Sequence, residues 1–261
     1  MSKFEHMDRL DPHHKSEIYR DFLGLMGSEF PMDYCDYIFN RYNLTPTDLV
    51  DGMGARYLGG DFERVKGEII NLHGGSVLEK ANLAWAARNG KTYLTFEPCL
   101  WKRAPLVCFP GTSNGIIDQV VGFVPWEDGD LIKAELRRWH YSTPKNVPSC
   151  RSPLFMENLR MEGAIVLCAD PFRAYRLRQE NYDAVCIPHF CRWLVGWQKK
   201  IAPGSCVYVA KSEAGLYPEE LGMIESALFQ GGVELKIVDI SLGDIMLGLR
   251  LLCGSAEKKG G

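Results

Sequence analysis

The chain has 261 residues, 46% hydrophobic and 24% charged, with a formal net charge of -3. That is an ordinary globular balance, large enough for one large or two modest domains. It excludes a protein that is basic over its whole surface, so any nucleic-acid contact must come from a local patch. Nine cysteines lie mostly in apolar runs, as with Cys108, Cys168, Cys186 and Cys206. They read as reduced, buried thiols of a cytoplasmic protein, because disulfide frameworks belong to small secreted chains. Residues 1–14 are polar and lack an apolar core of the signal-peptide type. No run of about 18 apolar residues marks a membrane span.

In chain order, residues 1–15 read as a polar lead-in with a turn-like Asp11-Pro12. Helical spacing predicts a helix over Ser16–Met26, with Ser16 as N-cap and Ile18, Phe22 and Leu25 on one face. A second helix is predicted over Met32–Tyr42, with Tyr34, Ile38 and Phe39 inward, and a short third one from Thr45 to Val50. Tyr57–Asp61 reads as a glycine-containing turn, followed by helices over Phe62–Leu72 and Val77–Asn89. From Lys91 to Val124 the pattern turns β-rich. Thr92–Phe96, Leu106–Phe109 and Ile116–Val124 are strand runs and Pro110–Gly115 a turn, as in an antiparallel meander. After an acidic loop at Trp126–Asp130, Leu131–Tyr141 resumes the pattern, and the Pro- and Ser-rich Ser142–Pro153 is the linker.

The second half alternates strands and helices. Ile165–Ala169, Ala184–Ile187 and Cys206–Ala210 are strand-like apolar runs and Val233–Ile240 is the last strand; helices are predicted from Asp170-Pro171 to Asn181 and from Pro218 to Gln230. Asp170 is the N-cap with Pro171 at the first helical position, and Gly231-Gly232 stops the second helix. This alternation predicts a parallel sheet flanked by helices, with its chemistry at the carboxyl ends of the strands. The fold class is therefore α/β: a mixed α+β region over 1–150, with a helical lead at 16–50 and a β-rich part at 91–141, then a parallel-sheet domain over 151–254. Residues 255–261 form a disordered tail.

The order of these segments resembles the RNA polymerase core of bacterial DNA primases and their phage and plasmid relatives, over roughly residues 16 to 252. The stretch Tyr37 to Thr45 is similar to a helical segment of that family. Phe109-Pro110, Gly115 and Val121-Gly122-Phe123 match a family strand pattern, and Pro144-Lys145-Asn146 through Ser152-Pro153-Leu154-Phe155 looks like its basic segment. Residues 164–240 have the layout of its Toprim domain, a metal-binding α/β module. The resemblance implies Mg²⁺ bound by a glutamate after the first strand and by an asp-x-asp pair after the third. Here Ala169 stands at the glutamate position and Arg173 at a later aspartate position. Ala210 to Gly215 keeps Ala214-Gly215 and replaces both aspartates. Glu162-Gly163 precedes the strand rather than ending it. No counterpart of the family's zinc-binding module is read in these residues.

Phosphoryl transfer of this type depends on Mg²⁺ held by carboxylates and water. Arg173 and Lys211 bring cations instead. One positive charge about 5 Å from a dication costs about 6–7 kcal/mol at an effective dielectric near 20. The weak candidates left for metal binding or catalysis are Asp170, Glu213 and Asp244, and Asp170 doubles as a helix cap.

Arg137, Arg138, His140 and Lys145, interleaved with Trp139 and Tyr141, form a candidate nucleic-acid patch, joined by Arg173 and Lys211. Trp193 and Trp197 with Lys199 and Lys200 read as helix core or interface. Cys186, His189 and Cys191 match no zinc-finger spacing and read as packing. Pro110–Gly115 lacks the Lys and helix start of a P-loop and reads as a hairpin turn. The sequence therefore points to a primase-like pseudoenzyme without a cofactor, binding single-stranded DNA or RNA or a replication protein such as a helicase, with no membrane contact. Two alternatives stay open. One is an active metal-dependent Toprim phosphotransferase using Mg²⁺ through Asp170, Glu213 and Asp244. The other is a phage- or plasmid-encoded module that engages host proteins.

Overall fold

Asp11 is followed by Pro12, whose missing N–H and fixed φ suit a first helical position. In the computed structural model a helix begins there. The structure describes residues 10–96, 106–123, 139–141, 154–155, 159–187, 197–211 and 218–238. They fall in two compact units, Met1–Ser152 and Pro153–Gly261. The linker at Ser142–Pro153, the acidic loop at Trp126–Asp130 and the tail lie outside the described residues.

In the first unit, α1 spans Pro12–Leu25, and the Asp11 carboxylate accepts the N–H groups of His13 at 2.9 Å and His14 at 3.1 Å. The helix thus starts before Ser16, and the lead-in predicted to residue 15 is shorter. Ser16 is buried within the helix, where its Oγ accepts the N–H of Ile117 at 3.0 Å. Ile18, Tyr19 and Phe22 are fully buried, and the Tyr19 hydroxyl donates to the Ala81 carbonyl at 2.6 Å. α2 spans Met32–Tyr42 and ends at Asn43, whose φ of 53° closes it by an N–H to the Phe39 carbonyl. Its buried stripe is Tyr34, Ile38 and Tyr42, at four-residue spacing. Phe39, expected inward, sits one position off that stripe and is 51% exposed.

Arg56–Leu58 is a strand, β1, rather than the start of a turn; it pairs antiparallel with Leu106–Cys108. α3 spans Phe62–His73 and α4 Gly75–Lys80, with Gly74 between them at φ 77°. The helix predicted to continue to Asn89 stops at Lys80. Asn82 takes φ 65°, and the Leu83 N–H turns back to the Leu78 carbonyl. The chain then forms a two-stranded ribbon, β2 (Ala84–Ala86) antiparallel to β3 (Thr92–Leu94), with Trp85 opposite Tyr93.

β4 (Leu106–Ser113), β5 (Ile116–Phe123) and β6 (Trp139–Tyr141) form a meander with β1 at its far edge, in the order β1-β4-β5-β6. The β4–β5 turn is only Asn114-Gly115, with φ of 54° and 75°, the signature of a tight hairpin turn. β4 continues through Pro110 and accommodates a bulge at Gly111/Thr112, so the turn is shorter than Pro110–Gly115. The core of this unit joins Phe22, Val65, Ile69, Leu78, Leu94 and Phe96, with the Phe22 and Phe96 rings stacked at 5.9 Å.

The second unit is a parallel sheet. β7 (Ala164–Cys168), β8 (Asp183–Cys186), β9 (Cys206–Ala210) and β10 (Glu234–Val238) lie in the order β10-β9-β7-β8. Every pairing is parallel. α5 (Pro171–Gln179) connects β7 to β8, and α6 (Pro218–Gln230) precedes β10. α5 buries Phe172, Ala174 and Leu177, and α6 buries Leu221, Ile224 and Leu228. The helical turn Trp197–Lys200 leads into β9. β7 and β9 are apolar and buried, as strands covered on both faces must be. β10 is largely exposed, as befits its place at the sheet edge. On the opposite side, Leu154 bridges to Cys186 beside β8. The fold class is therefore mixed α/β, a helical and antiparallel region followed by a parallel sheet with helices.

Candidate functional site

Parallel strands bring all their carboxyl ends to one edge. β7 and β9 are direct neighbours, with Leu167 opposite Val209. Asp170 lies three residues beyond Leu167 and Lys211 two beyond Val209, so register alone sets them at the same edge. Arg173 joins them from the first turn of α5, immediately after β7.

The geometry at Asp170 is that of an N-cap. Its Oδ1 accepts the N–H of Phe172 at 2.9 Å and of Arg173 at 3.2 Å. Asp170 and the preceding Ala169 are both buried, so the methyl of Ala169 and a carboxylate turned to the helix fill the end of β7. A carboxylate at a helix N-terminus also offsets the positive end of the helix dipole. Arg173 is half-buried and Lys211 exposed. Among the described residues, no group of three or more His, Cys, Asp or Glu side chains could hold a metal ion.

Other residues singled out in the sequence are placed differently. Glu162 and Gly163 precede β7, at the opposite end of the strand, where the Gly163 N–H donates to Ser205 Oγ at 3.1 Å. Cys186 is buried at the end of β8. His189, Cys191 and Trp193 lie outside the described residues, whereas Lys199 and Lys200 are exposed on their helical turn. Trp139, His140 and Tyr141 form β6 and pair with Phe123, Gly122 and Val121. Arg137, Arg138, Lys145, Glu213 and Asp244 lie outside the described residues.

Two features escaped the sequence reading. Arg178, on the α5 face toward β8, donates through Nη1 to the carbonyls of Phe155 and Ala184. Burial pulls its pKa down, against the attraction of Asp183. Its charge thus serves backbone carbonyls within its own unit. The other feature is the pairing of β2 with β3, the predicted Thr92 strand, where the rings of Trp85 and Tyr93 stack at 4.7 Å and Lys66 Nζ sits 5.1 Å from the Tyr93 ring centre. The signal was present as Asn89-Gly90 between two short alternating runs.

No family model matches the chain, and no curated protein matches it. Solved structures do. The crystal structure of the Aquifex aeolicus primase, comprising zinc-binding and RNA polymerase domains, is similar with a TM-score of 0.64 and 13% sequence identity. The match covers 96% of this chain and 63% of that one, so the chain spans under two thirds of the Aquifex protein's length in that structure. The RNA polymerase domain of Mycobacterium tuberculosis primase DnaG is similar in two structures, at TM-scores of 0.58 and 0.56 and 12% identity in each. These cover 93% and 94% of this chain and 77% and 78% of those chains. One was solved with a double-stranded DNA oligomer carrying a 6-nucleotide overhang, the other with a double-stranded DNA. The chain thus has a primase-like fold. Among the described residues, no helix is long and apolar enough to cross a membrane.

Proposed function

We propose that this protein is a nucleic-acid-binding relative of primases, in which the carboxyl edge of a Toprim-like sheet has exchanged metal ligands for cations. It acts by holding single-stranded DNA or RNA, or a replication partner, and not by polymerising nucleotides. The observation that carries this reading is Asp170. The acid that follows β7 is turned to cap α5, beside Ala169 and on the same edge as Lys211.

A magnesium site for phosphoryl transfer takes several carboxylates with oxygens turned to the ion. The described residues of this edge do not fit that group: one carboxylate bound to backbone amides, a methyl group and two cations. Arg173 and Lys211 fit phosphate oxygens instead, as the charges of a salt-sensitive, sequence-independent contact. Arg137, Arg138 and Lys145, outside the described residues, are proposed as further cations for the same class of ligand. The primase-like fold supports the same class of ligand.

Fluorescence anisotropy with a labelled single-stranded oligonucleotide tests it. Binding is expected to weaken with salt between about 50 and 200 mM, and R173E/K211E is expected to weaken it further and flatten the salt slope. Calorimetric titration with Mn²⁺ is expected to show no heat above dilution. Ribonucleotide incorporation on a single-stranded template that is lost in Asp170→Ala would overturn the proposal.

A further inference from the structure

We infer that the β2–β3 ribbon of the first unit is a second contact for single-stranded nucleic acid, separate from the carboxyl edge of the parallel sheet. The inference rests on the nucleic-acid-binding reading above.

The ribbon combines two chemistries that such a ligand needs. Trp85 and Tyr93 face each other across the strands in register and stack at 4.7 Å with planes inclined by 20°. Both residues are half-buried and reach the surface. Lys66, from α3, holds its ammonium 5.1 Å from the Tyr93 ring centre. Unpaired bases stack on aromatic side chains whatever their sequence, whereas a duplex keeps its bases stacked internally. The phosphates need cations beside the rings. The loop joining the strands supplies them: Arg88 and Lys91 are both exposed, one on each side of Asn89-Gly90. This loop is firmly built. The Ala87 N–H donates to the Lys91 carbonyl at 2.9 Å, the Gly90 N–H to the Ala87 carbonyl at 2.9 Å, and the Lys91 N–H to the Asn89 side chain at 3.0 Å. Gly90 takes φ 79°, which only the absence of a Cβ makes easy. Glu79 is the acid bound to the ribbon itself, where its carboxylate accepts the Ala86 N–H at 3.2 Å.

A cross-strand aromatic pair stabilises a hairpin by itself; what points to a ligand is its combination with Lys66 at the Tyr93 ring and two exposed cations in the loop between the strands. Charge complementarity selects a polyanion, and the rings select one with unpaired bases. DNA and RNA share that chemistry, so oligothymidine and oligouridine are the two arms of the test.

Each arm uses the full chain and the charge-reversal variant R88E/K91E, beside R173E/K211E. R88E/K91E is expected to weaken binding on the order of tenfold near 0.1 M salt and to lower the log–log salt slope by about 1.4, two contacts at about 0.7 each for a single strand. A 5-iodouracil-substituted strand is expected to photocross-link to the peptide holding Trp85 or that holding Tyr93. If wild type binds, R173E/K211E binds weakly and R88E/K91E binds as wild type does, the ribbon inference fails and the proposed function stands. If wild type binds no oligonucleotide, the ribbon inference and the nucleic-acid reading it rests on both fail. Equal affinity for a blunt duplex, reduced alike by R88E/K91E, overturns the single-strand assignment. Circular dichroism melting, expected to be unchanged for a loop-tip substitution, confirms that the variant is folded.

Discussion

The carboxylate of Asp170 accepts the backbone N–H of Phe172 at 2.9 Å, two residues further along the chain and at the start of α5. An acid that the sequence left as a candidate metal ligand is held by its own helix. Asp170→Ala is therefore expected to cost about 1 kcal/mol of stability through the lost cap, and Asp170→Asn clearly less. Urea denaturation followed by circular dichroism measures both. Affinity of Asp170→Asn for single-stranded DNA is expected to equal or exceed that of wild type, because a negative charge leaves a basic edge. A loss of binding in that variant would count against the assignment.

Tyr19 and Ala81 make a second test, of the first unit. The hydroxyl is fully buried and donates to a carbonyl 62 residues away. Tyr19→Phe leaves that carbonyl without this donor in the core, at a cost of about 1–3 kcal/mol. The thermal midpoint of the variant is expected to fall, and single-strand binding at a temperature where it is folded is expected to hold.

Gly111 sits at the β-bulge of β4, and a Cβ built there would run into the Gln119 side chain. Gln119 is buried and has no solvent to swing into. Gly111→Ala is expected to destabilise by about 1–3 kcal/mol, and shortening the neighbour in Gly111→Ala/Gln119→Ala to recover part of it. A double-mutant cycle in urea gives the coupling. Independent, additive costs would show that the strain lies in the backbone instead.

Burial pushes the thiols of Cys35 and Cys206 above the usual 9.0, and for Cys35 the carboxylates of Asp36 and Asp33 push the same way. The thiolate is the reactive form, so a raised pKa means less of it at any pH below that value. Both residues are expected to be alkylated by iodoacetamide more slowly than glutathione at about pH 8, and to accelerate as the pH rises past 9. Peptide mass spectrometry over a time course checks the order. Asp36→Asn is expected to speed Cys35 and leave Cys206 unchanged.

The strand–helix alternation of the second unit was legible because its signals are local. Ile165 to Cys168 and Val207 to Ala210 are unbroken apolar runs, and Asp170-Pro171 is a cap followed by a first-turn proline. Of the ribbon in the first unit, β3 was legible in the run Thr92–Phe96, but β2 was not. Val77, Ala81 and Ala84 keep helical spacing, and only the left-handed backbone of Asn82 breaks it. Asparagine enters that region far less readily than glycine, so its side chain gave little warning. β1 is three residues long, too short for a period to show. At the sheet edge, the absence of a glutamate at Ala169 was plain in the sequence, whereas the cap geometry of Asp170 became definite only with its two amide partners in place.

Ser16 of α1 accepts the amide of Ile117, 101 positions later. During synthesis the first helix leaves the ribosome about 5–20 s before the strand that receives it, at about 5–20 residues per second. For that interval Ile18, Tyr19 and Phe22 have no β5 to cover them. Nascent chains stalled shortly before and shortly after Ile117 should therefore differ in how strongly they are held by a chaperone that recognises exposed apolar segments.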